Sequence, residues 1–122
     1  MKSIKFKGEN LYLEVGEYFN TGRISILAYT KDDFFGDITK NLSFTLLEDE
    51  QKGGFINQYT KSDGLEQKLK EEGIIKKIVG REKYNMETYD EVIFDLEKLK
   101  EYDMEGVNKY LENFKEEEEE FE

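Results

Sequence analysis

The 122-residue chain contains no cysteine, histidine, proline or tryptophan. Without cysteine there is no disulfide framework, no thiolate nucleophile and no cysteine-based zinc or iron–sulfur site. Without histidine there is no Ser–His–Asp or Cys–His arrangement, no imidazole metal site and no imidazole general base near neutral pH. Arginine is nearly absent too, with only Arg23 and Arg81. No phosphate-binding glycine motif occurs, and Gly53-Gly54 reads as a turn. No apolar run approaches the roughly 18 residues that a membrane span needs. The start, MKSIKFKGEN, lacks the apolar core of a signal peptide, so a cytoplasmic location is expected.

What the chain has is acid. It carries 29 Asp and Glu against 18 Lys and Arg, a formal charge of −11. Residues 1–83 hold 14 acidic and 14 basic side chains, whereas residues 84–122 hold 15 acidic and 4 basic. The whole excess therefore lies in the last third. Direct nucleic-acid binding is not expected, because such a surface repels phosphate. Nine Phe and eight Tyr compensate for a modest apolar fraction of 37%, since aromatic rings bury much area each.

The hydrophobic pattern predicts an α+β fold: an antiparallel sheet of five to seven strands with a short middle helix and an amphipathic C-terminal helix. Ser3–Lys7 and Leu11–Val15 alternate and read as a hairpin, and Arg23–Tyr29 as a third strand. Asp32–Asp37 reads as a hairpin loop with Phe34 and Phe35 at its tip, leading into a strand over Ile38–Leu47. Phe55–Tyr59 is a candidate short strand, and Ser62 a candidate cap for a helix holding Leu65 and Leu69, closed by Gly73. Ile74–Val79, ended by Gly80, and Tyr89–Leu96 read as further strands. Asp95 and Asp103 are candidate caps for two helical segments, the second with the stripe Val107, Tyr110, Leu111 and Phe114. Residues 1–115 form one expected domain. Residues 116–122 form an acidic tail that should fray, because Glu116–Glu120 repel one another and oppose the helix dipole.

The order Arg23-Ile24-Ser25-Ile26, Gly36-Asp37-Ile38-Thr39-Lys40-Asn41-Leu42, Leu69-x-x-x-Gly73-Ile74, Gly80-Arg81 and Tyr89–Phe94 resembles a family of small acidic proteins of unknown function. Its members come mainly from plasmids, phages and conjugative elements of Firmicutes. The resemblance covers about residues 10–100. It supplies no catalytic residues and implies a setting of mobile elements, where small acidic proteins counter host defence.

The leading expectation is a non-enzymatic, cytoplasmic inhibitor. Its acidic C-terminal third would mimic nucleic acid and occupy a basic surface of a host nucleic-acid-binding protein, such as a CRISPR effector. The candidate residues are Glu87, Asp90, Glu91, Asp95, Glu97, Glu101, Asp103, Glu105 and Glu112, with Phe34 and Phe35 as aromatic anchors. The bland counterpart is an accessory protein whose acidity serves solubility. A second alternative is a pocket for a small anionic ligand such as a nucleotide signal, lined by Tyr12, Tyr18, Phe19, Tyr29, Phe55 and Tyr59, with Arg23 or Arg81 as anchor. Asp32, Asp33 and Asp37 are enough carboxylates for a hard cation, but their spacing does not match an EF-hand, and no metal or cofactor is expected. Among so many acids, carboxylate pairs at catalytic distance arise by chance, and so short a chain has little room for a substrate cleft.

Overall fold

The computed structural model describes the backbone of residues 1–120 and the side chains of residues 1–114. Its elements are strands β1 (Ile4–Phe6), β2 (Glu9–Glu17), β3 (Ile24–Tyr29), β4 (Phe34–Asp37), β5 (Thr39–Lys40) and β6 (Gly53–Ile56), helices α1 (Gln58–Ser62) and α2 (Leu65–Glu71), strands β7 (Ile75–Tyr84) and β8 (Glu87–Phe94), and helix α3 (Leu96–Glu120). The fold is α+β. Eight strands form two antiparallel four-stranded sheets, ordered β1-β2-β3-β4 and β5-β6-β8-β7, rather than one sheet of five to seven.

The first sheet is a meander whose alternation sets its inner face. Leu11, Leu13 and Val15 of β2 and Ile24, Ile26 and Ala28 of β3 all point inward. Lys7 and Gly8 both take positive φ, the two-residue turn that suits the twist of a hairpin. The expected loop over Asp32–Asp37 is shorter than the sequence suggests. The turn occupies residues 30–33, closed by Thr30, whose hydroxyl accepts from the Asp33 N–H (3.0 Å). Phe34 and Phe35 therefore lie within β4, not at a tip.

The expected strand over Ile38–Leu47 is also corrected. Only Thr39–Lys40 pair as a strand; Ile38 bonds the Ile26 carbonyl and the Asn57 N–H through its backbone, and further along side chains meet the chain at Leu42 and Leu47. Arg23 donates to the Leu42 carbonyl (2.5 Å), and Glu91 accepts the Leu47 N–H (2.7 Å). Leu42 and Leu46 are buried all the same, in a second cluster with Phe55 and Tyr89. Asn57 ends β6 at Ile56 by capping α1, its side chain accepting the Tyr59 N–H (2.9 Å), so Tyr59 is helical. Ser62 closes α1 instead of capping α2, whose N-cap is Gly64. Gly73 follows the C-cap of α2 at φ +83°, as the left-handed C′ position requires.

The strand expected to end at Gly80 continues to Tyr84. Gly80 lies at a shift in the β7–β8 register and does not end β7. Central β8 is buried from Tyr89 through Phe94 on both faces. Asp95 accepts the Lys98 N–H (3.0 Å) and starts α3. At Asp103 the backbone leaves helical geometry (φ −156°, ψ 78°), and its carboxylate caps the second segment through Gly106 N–H (3.1 Å). Beyond it Val107 and Tyr110 are buried, with Leu111 packed against the core, and α3 lies on β2. The main core draws on both sheets and on α2 and α3. Where fraying is expected past Lys115, the backbone of α3 stays helical to Glu120, and residues 121–122 lie outside those described.

Candidate functional site

Among the described residues, six of the nine candidate C-terminal acids are engaged within the fold. Asp90 and Glu91 are buried and present no charge to a partner. Alternation along β8 sends them to opposite faces. Glu91 faces the 41–52 segment and accepts the Leu47 N–H, while Asp90 meets Lys61 of α1 (3.1 Å) and Arg81 of β7 (3.0 Å). Asp95 and Asp103 are helix caps, and Asp103 also accepts the Val15 N–H (2.8 Å). Glu97 pairs with Lys100, and Glu101 with Lys2 and Lys98. Among the described residues, only Glu87, Glu105 and Glu112 of the nine remain exposed without a cation beside them, and Glu87 accepts from the Tyr89 hydroxyl (2.8 Å).

Both arginines are likewise occupied. Arg23 is largely buried between the Leu42 carbonyl and Glu50 (3.8 Å), while Arg81 gives its Nε–H to Asp90 and leaves about two-thirds of its side chain exposed. The aromatic residues suggested for a ligand pocket do not gather there. Phe55 is core, Phe19 is fully exposed, and Tyr18 bonds Thr39.

The feature that stands out is the pair Phe34 and Phe35, 53% and 39% exposed in spite of their size. Each ring leans on one aromatic neighbour edge-on, Phe34 on Tyr29 and Phe35 on Phe6. Hollows lie on both sides of this ridge. One, of about 400 Å³, is lined by β4, Ile38, α1 with its cap Asn57, and Asp63 and Leu65. The other, of about 500 Å³, is lined by the turns β1–β2 and β3–β4. Five exposed carboxylates, Glu9, Asp32, Asp33, Asp37 and Asp63, line the two hollows, against one lysine, Lys31. None of the five forms an ion pair among the described residues. Five carboxylates outnumber the nearby cations Lys31 and Lys7, the latter lying over the Phe6 ring beside Phe35, so net negative charge flanks exposed apolar surface, the combination that anchors a cationic, partly apolar partner. Asp32, Asp33 and Asp37 do not converge as metal ligands: among the described residues, no three carboxylates are placed to hold a cation.

A second charged cluster lies behind α1, and the sequence reading missed it. Glu66 of α2 is buried, and its Oε1 meets no donor. Burial and hydrogen bonding to the Asp90 carboxylate raise its pKa to about 7. Burial works against ionised Asp90, but hydrogen bonds from Glu66, Lys61 and Arg81 hold its pKa below the ordinary aspartate value. The proton of this pair therefore sits on Glu66. The signal was present in parity, since Asp90 shares a strand face with buried Val92 and Phe94.

The family described as a domain of unknown function (DUF4313) matches residues 12–114. No curated protein and no solved structure matches the chain. Among the described residues, no helix is long and apolar enough to cross a membrane.

Proposed function

We propose a function for this chain, which belongs to the DUF4313 family, from its own surface. It is a non-enzymatic protein that binds a basic surface of a partner protein. The observation that carries this reading is the Phe34–Phe35 ridge flanked by five exposed carboxylates that take part in no ion pair among the described residues. This moves the contact from the acidic C-terminal third to β4 and its flanking turns. Glu87, Glu105 and Glu112 add to the field rather than make the contact. A basic surface built to hold phosphates is the partner chemistry that fits, so the protein would act as an inhibitor that displaces nucleic acid. If the setting is that of mobile elements, as the resemblance implies, the target would be a cytoplasmic host-defence protein of the CRISPR-effector kind. No cofactor takes part.

A nucleotide-like ligand on Arg23 or Arg81 has less in its favour, since both guanidinium groups already serve oxygens of the chain itself. Solubility alone leaves the exposure of two adjacent phenylalanines unexplained.

The test is affinity capture from a bacterial host with the full chain and with Asp32→Asn/Asp33→Asn/Phe34→Ala. The expected result is a basic nucleic-acid-binding protein that is eluted by duplex DNA, lost above about 0.3 M salt as screening shortens the field, and not captured by the variant. Capture that survives both salt and the triple substitution overturns the reading.

A further inference from the structure

We infer that the hollow between β4 and α1 receives an extended basic segment of the partner, added as a new strand along the free edge of β4. This rests on the protein-binding reading above and narrows a basic surface to a stretch of chain.

β4 is the last strand of its sheet and pairs only with β3. Among the described residues, its outer edge meets a single hydrogen bond, from Thr60 Oγ1 to the Asp37 carbonyl (2.9 Å). An unpaired edge offers backbone N–H and C=O groups in a row, the template for strand addition. The far wall of the hollow is α1, with Tyr59 79% exposed. Thr60 on the Asp37 carbonyl and the Asn57 N–H on the Ile38 carbonyl close the groove at its inner end, so the edge open to an added chain is residues 34–36, enough for the central few residues of one extended segment. Phe34 and Asp37 pair with Tyr29 and Leu27 and so share a face, and side chains of the added chain on that face would meet both apolar surface and carboxylate.

Charge chooses the occupant. The hollow is lined by Asp37 and Asp63 and by no cation, and Asp32 and Asp33 stand just across the ridge. A second copy of this chain would bring the same carboxylates face to face, which antiparallel pairing penalises. A segment alternating Lys or Arg with β-branched residues matches both the edge and the field.

Gly36 supplies a clean handle. A Cβ built there meets nothing within 4 Å, although the residue lines the hollow. Gly36→Leu therefore enters the groove from a Cβ that meets nothing, and its melting temperature reports whether the longer side chain presses on the fold.

The probes are a capped ten-residue peptide alternating Lys and Val, and two versions N-methylated at alternate residues, one in each register. N-methylation keeps charge and side chains but removes donors from one edge. Binding to the full chain is followed at low salt by amide chemical shifts and hydrogen exchange. The parent peptide should bind saturably and slow exchange in β4. One methylated register should bind at least tenfold more weakly, and Gly36→Leu should weaken the parent at least tenfold with an unchanged melting temperature. Equal binding of all three peptides, lost in Asp32→Asn/Asp33→Asn/Asp37→Asn/Asp63→Asn, overturns strand addition and leaves the charge reading standing. Binding that this quadruple variant does not weaken overturns both. A wild-type dimer in sedimentation that Gly36→Leu dissociates would make the occupant a second copy and overturn the basic-segment assignment.

Discussion

The buried carboxyls of Glu66 on α2 and Asp90 on β8 share a hydrogen bond, which requires that one of them keep its proton. Lys61 and Arg81 both bond Asp90, so the ionised member is Asp90 and the protonated one Glu66. Three separate segments, α1, α2 and the β7–β8 hairpin, meet at this one proton.

The pair makes stability depend on pH in a stated direction. Glu66 has an ordinary value of 4.5 and is raised to about 7 in the fold, so between these values the folded chain holds a proton that the unfolded chain has released. Stability from this group is complete below the lower value and is lost as pH rises through the upper one. The chain has no histidine to obscure the effect. Chemical denaturation followed by circular dichroism should therefore show the wild type weakening from about pH 5 to about pH 8. Glu66→Gln should be flat in that window and the more stable protein at its upper end. A wild type as flat as the variant would place no shared proton at this site.

How far the sequence led differs between elements, for physical reasons. Strands β2 and β3 and the stripe on α3 were legible because each buries one face, so their periodicity survives in the residue order. The two capping aspartates, Asp95 and Asp103, were legible because N-caps are local. β4 was misjudged because residues 30–33 close a turn without glycine, leaving Gly36 as a false marker. The Ile38–Leu47 segment looked like a strand throughout because Leu42, Phe44 and Leu46 alternate. Beyond Lys40, however, its backbone bonds to the side chains of Arg23 and Glu91, both distant in sequence. The acidic C-terminal third illustrates the same limit. A charge count does not reveal that Asp90 and Glu91 are buried or that Asp103 is bonded to β2.

The β7–β8 turn carries an avoidable cost. Asn85 and Met86 both take positive φ (49° and 67°), the geometry of a two-residue hairpin turn that favours Asn-Gly. Met86 is fully exposed, so its side chain packs on nothing that its removal would forfeit. Met86→Gly should stabilise the protein by about 1 kcal/mol, the relief of a left-handed conformation at a residue with a Cβ. Urea denaturation should show a higher midpoint with an unchanged slope; a lower midpoint would mean that the turn does not hold this geometry in solution.

Asp103 joins two regions 88 residues apart in sequence. One oxygen caps Gly106 and the other accepts the Val15 N–H in the middle of β2. Asp103→Ala should cost about 2–3 kcal/mol, a lost cap together with an orphaned strand donor. Asp103→Asn keeps one acceptor and should recover about half of that loss. Hydrogen exchange at Val15 is the specific readout: it should rise in the alanine variant. Unchanged protection there would show that this donor does not depend on Asp103.

Gly106 opposes helix propensity to packing. In an exposed helix, Gly→Ala gains about 1 kcal/mol. Here a Cβ would run into the Asp103 carboxylate and approach the Val15 carbonyl at 2.5 Å. Backbone on one side and a doubly bonded side chain on the other leave little that can yield. Gly106→Ala should therefore destabilise by about 1–3 kcal/mol. Because the new methyl collides with the group that Asp103→Ala removes, the double variant should lose less than the sum of the two single losses. A thermal-melt cycle over the four proteins measures that coupling. Simple additivity, or a more stable Gly106→Ala, would mean that α3 does not approach β2 as closely as the Asp103 bonds imply.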